Sequence, residues 1–155
     1  MADIILAEDN SDLVRKASEA AIARALEKIG GMAESYAKQK LNDVVYSTPA
    51  GLYRRTGALR NSITHRVNGN TVEVGSNINY APYVELGTGK EYQPPPEWME
   101  SHGERGRGLD KWYYQDEGGN WHVGFPQKPR PFLRPAIEDH LKEYNNVIEN
   151  ELKNG

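Results

Sequence analysis

The chain contains no cysteine. That absence removes disulfides, thiolate nucleophiles and thiolate metal sites together, and it suits either a reducing compartment or an assembly indifferent to redox change. Basic runs are also missing. With 19 Lys and Arg against 22 Asp and Glu, the formal net charge is -3, and no stretch of five or six cations offers a stripe for tracking phosphates, so sequence-specific nucleic-acid binding is not expected. Long apolar runs are absent too. Residues 1–10, Met-Ala-Asp-Ile-Ile-Leu-Ala-Glu-Asp-Asn, carry no basic segment and only a short apolar one, so neither a signal peptide nor a membrane span is expected. Leu, Ile, Val and Phe together number 30 of 155 residues, a level at which only strong net charge would argue for disorder. A chain of this length forms one domain, residues 1–155, that buries roughly two-thirds of its unfolded surface. Its core should be small, with some apolar surface completed by a neighbouring subunit.

Against these absences stands a clear periodicity. Between residues 11 and 46, Leu13, Val14, Ala17, Ala21, Leu26, Ile29, Ala33, Tyr36, Ala37, Leu41 and Val44 recur every three or four positions, predicting a long amphipathic helix. Asn10 or Ser11 can cap it, and Asp12 suits its positive end. The pair Gly30-Gly31 predicts a bend, a break or the close approach of another element. Thr48-Pro49 should end the helix, followed by a polar connection over residues 50–55. Antiparallel strands are expected across residues 60–88: Ser62–Val67 and Thr71–Ser76 around an Asn68-Gly69 turn, then Tyr80–Leu86 as a third strand with Pro82 at an edge or bulge. A C-terminal helix over residues 135–153 follows from Ala136, Ile137, His140, Leu141, Tyr144, Ile148 and Leu152. The fold class is therefore α+β, with two helices packed on a small antiparallel sheet.

Residues 89–130 differ in character. They hold seven of the 14 aromatic residues, namely Tyr92, Trp98, Trp112, Tyr113, Tyr114, Trp121 and Phe125, among scattered glycines and the run Pro94-Pro95-Pro96. A 42-residue connection within one domain usually carries structure or function of its own. Here it reads as an insertion, a long loop or a second hairpin between Trp112–Tyr114 and Trp121–Val123. The aromatics suit either a local mini-core or a surface that docks onto another subunit.

No catalytic constellation emerges. His65, His102, His122 and His140 are scattered without the paired helical spacing of a zinc hydrolase, so no metal site and no cofactor is expected. Gly87-Thr88-Gly89-Lys90 lacks the spacing of a phosphate loop and reads as a turn. Adjacent carboxylates such as Asp116-Glu117 face different ways and cannot share a scissile bond. Two other classes stay open as alternatives. One is a hydrolase using His122 or His102 with a nearby carboxylate. The other is a single-stranded nucleic-acid module stacking bases on the insertion's aromatics, although composition supplies no positive groove for it.

Three segments carry a resemblance. Thr56-Gly57-Ala58-Leu59-Arg60-Asn61-Ser62-Ile63 comes first, followed by Val74-Gly75-Ser76 with Tyr80-Ala81-Pro82-Tyr83-Val84-Glu85-Leu86-Gly87-Thr88, and then Arg130-Pro131-Phe132-Leu133-Arg134-Pro135-Ala136. In order and spacing they resemble a family of small tail-component proteins of long-tailed bacteriophages, named for gene product ten of phage HK97. The resemblance spans about residues 11–150 and leaves residues 89–130 unsupported. It implies a structural protein of the phage or prophage virion, not an enzyme: a neck, head-tail joining or tail-completion protein assembled in the host bacterial cytoplasm. Its implied partners are other copies of itself in a ring around the DNA channel and neighbouring neck or tail proteins. DNA would pass without specific binding, and no membrane is involved.

The motif positions also make physical sense. Thr56-Gly57 supplies a turn that lets Leu59 and Ile63 enter the core, with Arg60 and Ser62 between them, while Gly75 and Gly87 allow bulges or tight turns at strand ends. Phe132 and Leu133 can seat the last helix, and Pro135 fits its first turn. Tyr80, Ala81, Val84, Thr88, Pro131 and Ala136 complete the set. Glu85, inside an apolar segment, is expected on a solvent face or paired with Arg54, Arg55 or Arg60.

Overall fold

The computed structural model describes residues 11–47, 56–93, 108–115 and 118–154. Helix α1, Ser11–Leu41, is the spine of the molecule. It is built largely from Ala, Glu, Lys and Leu, which form helix with little loss of side-chain freedom. A single π-helical turn, Asn42–Tyr46, prolongs it. Helix α1 runs unbroken through the glycine pair. Gly31 faces open space, whereas Gly30 lies directly beneath the His65 ring, so the close approach expected there is realised.

A short helix α2, Ala58–Ser62, leads into strands β1, Ile63–Asn68, and β2, Thr71–Ser76. The strands pair antiparallel without interruption from Ile63↔Ser76 to Asn68↔Thr71, so the turn is Gly69-Asn70, with Gly69 at φ 58°, one residue beyond the Asn68-Gly69 turn expected. Gly75 pairs in register with Thr64, so the bulge or turn expected at Gly75 does not form.

The third strand expected over Tyr80–Leu86 is not a strand. Ala81–Leu86 forms helix α3, with Pro82 in its first turn, where the missing amide hydrogen costs nothing. The short apolar stretch fitted a strand, but its buried residues are Ala81 and Leu86, whose odd spacing would put them on opposite faces of one. Residues 60–88 thus hold two strands flanked by two helices.

Within residues 89–130 a separate hairpin pairs β3, Trp112–Gln115, with β4, Trp121–Gly124. The chain then forms α4, Leu133–Glu138, and α5, Leu141–Asn154. The single helix expected over residues 135–153 is therefore two, separated by a turn at Asp139 and His140. That break has a purpose in packing: the Tyr144 hydroxyl donates back to the Ala136 carbonyl at 2.5 Å, closing the corner between α4 and α5. Burial there pushes the Tyr144 hydroxyl up to about 12.

Two clusters form the core. The larger joins Ala37, Leu41, Leu59, Ile63, Ala81, Phe132 and Ala136, drawn from four helices, the residue that caps α4, and β1. The smaller joins Ile29 and Ala33 of α1 to Tyr144 of α5. Among the described residues 14 apolar side chains are buried and six of them are alanines, which brings α1 close to its neighbours but buries modest area per residue. Helix α5 runs antiparallel to α1. Tyr36 donates to Glu143 at one end, and Arg24 and Lys28 hold Glu151 at the other. The first ten residues of α1 contribute no buried side chain, and Leu13 and Val14 are largely exposed.

Candidate functional site

The fingerprint segments Tyr80–Thr88 and Arg130–Ala136 meet through one side chain. Glu85, half-buried on α3, accepts the backbone N–H groups of Phe132 at 2.7 Å, Leu133 at 3.0 Å and Arg134 at 3.0 Å. A helix leaves its first four N–H groups without intrahelical partners. In α4 three of them are taken by Glu85, and the fourth position is Pro135, which has none. The carboxylate also lies at the positive end of the helix dipole. The solvent face expected for Glu85 is thus corrected. Arg60 instead reaches Asn42 at 3.5 Å, while Arg54 and Arg55 lie outside the described residues. The sequence held a usable signal: a half-apolar helix start followed by Pro135 needs an acceptor for three donors.

The turn after α3 anchors the insertion. Gly87 and Gly89 have φ of 79° and 60°, and both are closely covered. A Cβ on Gly87 would lie 2.7 Å from the Gln127 and Glu91 carbonyl oxygens, and one on Gly89 would lie 2.5 Å from the Leu109 carbonyl. Between them Thr88 donates its N–H to Gln127 O at 2.9 Å and accepts the Gln127 N–H on Oγ1 at 2.9 Å. Lys90 N–H reaches Leu109 O at 3.0 Å, Gly108 N–H reaches Gly89 O at 3.2 Å, and Arg130 N–H reaches Val84 O at 2.8 Å. Gly-Thr-Gly is consequently a backbone clasp that grips both ends of the hairpin region.

The hairpin so held carries different side chains on its two faces, and the face of Trp112 is itself partly open, with Tyr114 42% exposed. Side chains alternate along each strand, so Trp112, Tyr114, His122 and Gly124 share one face by their register. Trp112 lies across Gly124, and its ring also approaches Gly89. Tyr114 stacks on His122 with centroids 5.4 Å apart. The opposite face carries Tyr113, Gln115, Trp121 and Val123, extended by Phe125. Here Tyr113, Trp121, Val123 and Phe125 expose 60, 69, 42 and 59% of their surface, and Lys111 lies over the Tyr113 ring.

Other residues singled out by sequence serve the framework. The Thr56 Oγ1 accepts the Ala58 N–H at 3.3 Å, and Gly57, at φ 77°, begins α2. Leu59, Ile63, Ala81, Phe132 and Ala136 lie in the larger core cluster, with Val84 and Leu133 packed against it. The Ser62 hydroxyl donates to Leu59 O and meets the Ser76 hydroxyl at 2.6 Å. Tyr80 is exposed, whereas Tyr92, Pro131 and Pro135 are half-buried. Trp98 and His102 lie outside the described residues.

A cleft of about 360 Å³ opens between α1, α4 and α5, lined in part by Tyr36, Lys40, Asp43, His140 and Glu143. His140 stacks flat on Tyr36, with centroids 3.5 Å apart, and Glu143 takes both the Tyr36 hydroxyl and, at 3.3 Å, His140 Nδ1. The hydrogen bond from Tyr36, then that from His140, lowers the Glu143 carboxyl below its ordinary range, and the same bond raises the Tyr36 hydroxyl. These groups satisfy one another across the helix interface. Among the described residues no group of His, Asp or Glu is arranged to hold a metal ion, and no helix is long and apolar enough to cross a membrane.

Fold and surface together define a small α+β framework domain that clasps an apolar hairpin at its edge. A family profile described as "Bacteriophage HK97-gp10, putative tail-component" matches residues 6–87, just over half of the chain. The chain belongs to this family and is a structural component of a bacteriophage tail, a virion protein. No curated protein and no solved structure matches it. The profile ends at Gly87, the first glycine of the clasp, so the hairpin and α4 lie beyond it while Glu85, which holds α4, lies within it.

Proposed function

We propose that this tail component acts at the neck or tail end, joining head to tail or completing the tail, as one subunit of a ring of identical copies around the DNA channel. Its chemistry is that of surfaces, and it acts without catalysing a reaction. The observation that carries this reading is the outer face of the β3–β4 hairpin, where Tyr113, Trp121, Val123 and Phe125 stand together in solvent. Aromatic residues of this kind dominate the energetics of subunit interfaces. A hairpin of two four-residue strands is marginal in water on its own, so a neighbour covering that face would stabilise it. Rings form when one surface of a subunit meets a different surface of the next with a rotation that closes. A hairpin clasped at the domain edge provides such a one-sided contact. The formal charge of -3 per chain would keep a ring lumen from holding DNA tightly, since phosphates find no excess of cations. Assembly would take place in the host bacterial cytoplasm, before or during the joining of tail to head.

The test is negative-stain microscopy with light scattering on the purified protein, alone and mixed with its phage neck and tail proteins. Rings or incorporation into those assemblies are expected. A strict monomer that never joins them would overturn the proposal.

A further inference from the structure

His65 on β1 lies along α1 between two glutamates. Its Nδ1 is 2.8 Å from Glu34 and its Nε2 is 3.3 Å from Glu27, residues two helical turns apart with Gly30 between them. The ring fits there only because Gly30 has no side chain; a Cβ would collide with it. The imidazole is largely shielded from solvent, as is Glu34, while Glu27 is mostly exposed. Lys38 takes the other oxygen of Glu34 at 2.5 Å. From β2 the residue opposite His65 is Val74, and the Arg66–Glu73 pair points to the other face of the hairpin. The groups that face the ring are thus Glu27 and Glu34, with Lys38 behind the latter.

A neutral imidazole has one N–H and one bare nitrogen, so it can donate to only one of two carboxylates and would present a lone pair to the other. Imidazolium donates to both. We propose that His65 is a proton-operated latch: in its charged form it ties the β1–β2 hairpin to α1 through Glu34 and Glu27, and its deprotonation loosens the hairpin from the helix. The hydrogen bond to Glu34 raises the His65 ring above its ordinary value of 6.5, with Glu27 adding to the effect and burial opposing it. A group whose folded-state value is raised contributes stability in full below its unfolded value, lost as pH rises through the folded value. The latch is therefore closed below about pH 6.5 and opens above it.

NMR titration of the histidine rings in the intact protein tests this, together with amide exchange in β1 and β2 corrected for intrinsic rates. The His65 ring should titrate above 6.5, fall toward 6.5 in Glu34→Gln, and its deprotonation should be accompanied by a loss of protection at Thr64 and Arg66, whose N–H groups bond across the hairpin. In urea unfolding, the wild type should lose stability as pH rises past 6.5, while His65→Gln should not. A His65 ring that titrates at or below 6.5, or hairpin protection that stays constant through its titration, would overturn the latch. Should His65→Gln fail to fold, the wild-type and Glu34→Gln titrations decide the matter alone.

Discussion

Replacing Glu85 with alanine removes the acceptor of three backbone N–H groups at the start of α4. Loss of an ordinary N-cap side chain costs about 0.5–2 kcal/mol. Glu85 does more than an ordinary cap, because it binds three donors as a charged group, and such bonds are worth about 1.5–3 kcal/mol each. Water can replace the carboxylate at Arg134, which is exposed, but not readily at Phe132, which is fully buried. Counting the two sheltered donors against partial rehydration gives a loss of about 2–4 kcal/mol for Glu85→Ala. In a domain of this size that lowers Tm by about 5–15 °C. Glu85→Gln keeps one acceptor oxygen and should lose about half as much. Glu138→Ala, an exposed residue later in α4, is the control and should stay within about 0.5 kcal/mol of wild type. Urea unfolding followed by circular dichroism measures the loss, and amide exchange at Phe132, Leu133 and Arg134 locates it. If Glu85→Ala matched the Glu138 control, or if the three amides kept wild-type protection in it, the cap would not be what joins α3 to α4.

Other perturbations follow from the same geometry. Gly30→Ala should destabilise by about 1–3 kcal/mol through overpacking against His65 despite alanine's better helix propensity, whereas Gly31→Ala, facing open space, should stabilise by about 0.5–1 kcal/mol; thermal unfolding of the two variants side by side checks the pair. Phe132→Ala should cost about 3–5 kcal/mol, read by urea unfolding, because its ring is wholly buried in the larger cluster. Gly89→Ala should free the β3–β4 hairpin, since the residue is at positive φ with a carbonyl 2.5 Å from the new Cβ, and limited proteolysis should then cut within residues 108–127 while leaving α1 and β1–β2 intact. On the acid side, Lys28 and Arg24 lower the Glu151 carboxyl, and Tyr36 and His140 lower that of Glu143. Depressed carboxylates contribute stability above their ordinary 4.5 and lose it as pH falls below, so with the opposite dependence at His65 the unfolding free energy should peak between about pH 4.5 and 6.5.

Helix α1 and the first hairpin were legible in the sequence because each has a local cause: a three-to-four residue period for α1, and a glycine-asparagine turn between β-branched runs for β1 and β2, although the turn falls at Gly69-Asn70, one residue beyond the Asn68-Gly69 expected. Residues 81–86 misled because a six-residue apolar stretch fits a strand or a helix equally, and the choice was made by burial of Ala81 and Leu86 against distant residues. The break between α4 and α5 escaped for a similar reason, as it depends on Tyr144 reaching back to Ala136. The clasp and the cap are contacts over 19 to 49 positions, and no local pattern encodes those. What the sequence did expose was the residue set itself. Glycines at 87 and 89 and a glutamate at 85 are odd choices for a strand end, and they make sense once they grip the insertion and α4.

The hairpin face is the part of the account on which function turns. Because the chain has no cysteine, Trp121→Cys gives a single thiol on that face, and its maleimide labelling rate can be compared in the free protein and in assembled neck or tail particles. Burial on assembly predicts rapid labelling of the free protein and strong protection in the particle, with a control cysteine at the exposed Lys153 position labelled alike in both. Equal labelling of Trp121→Cys in the two states would contradict the account.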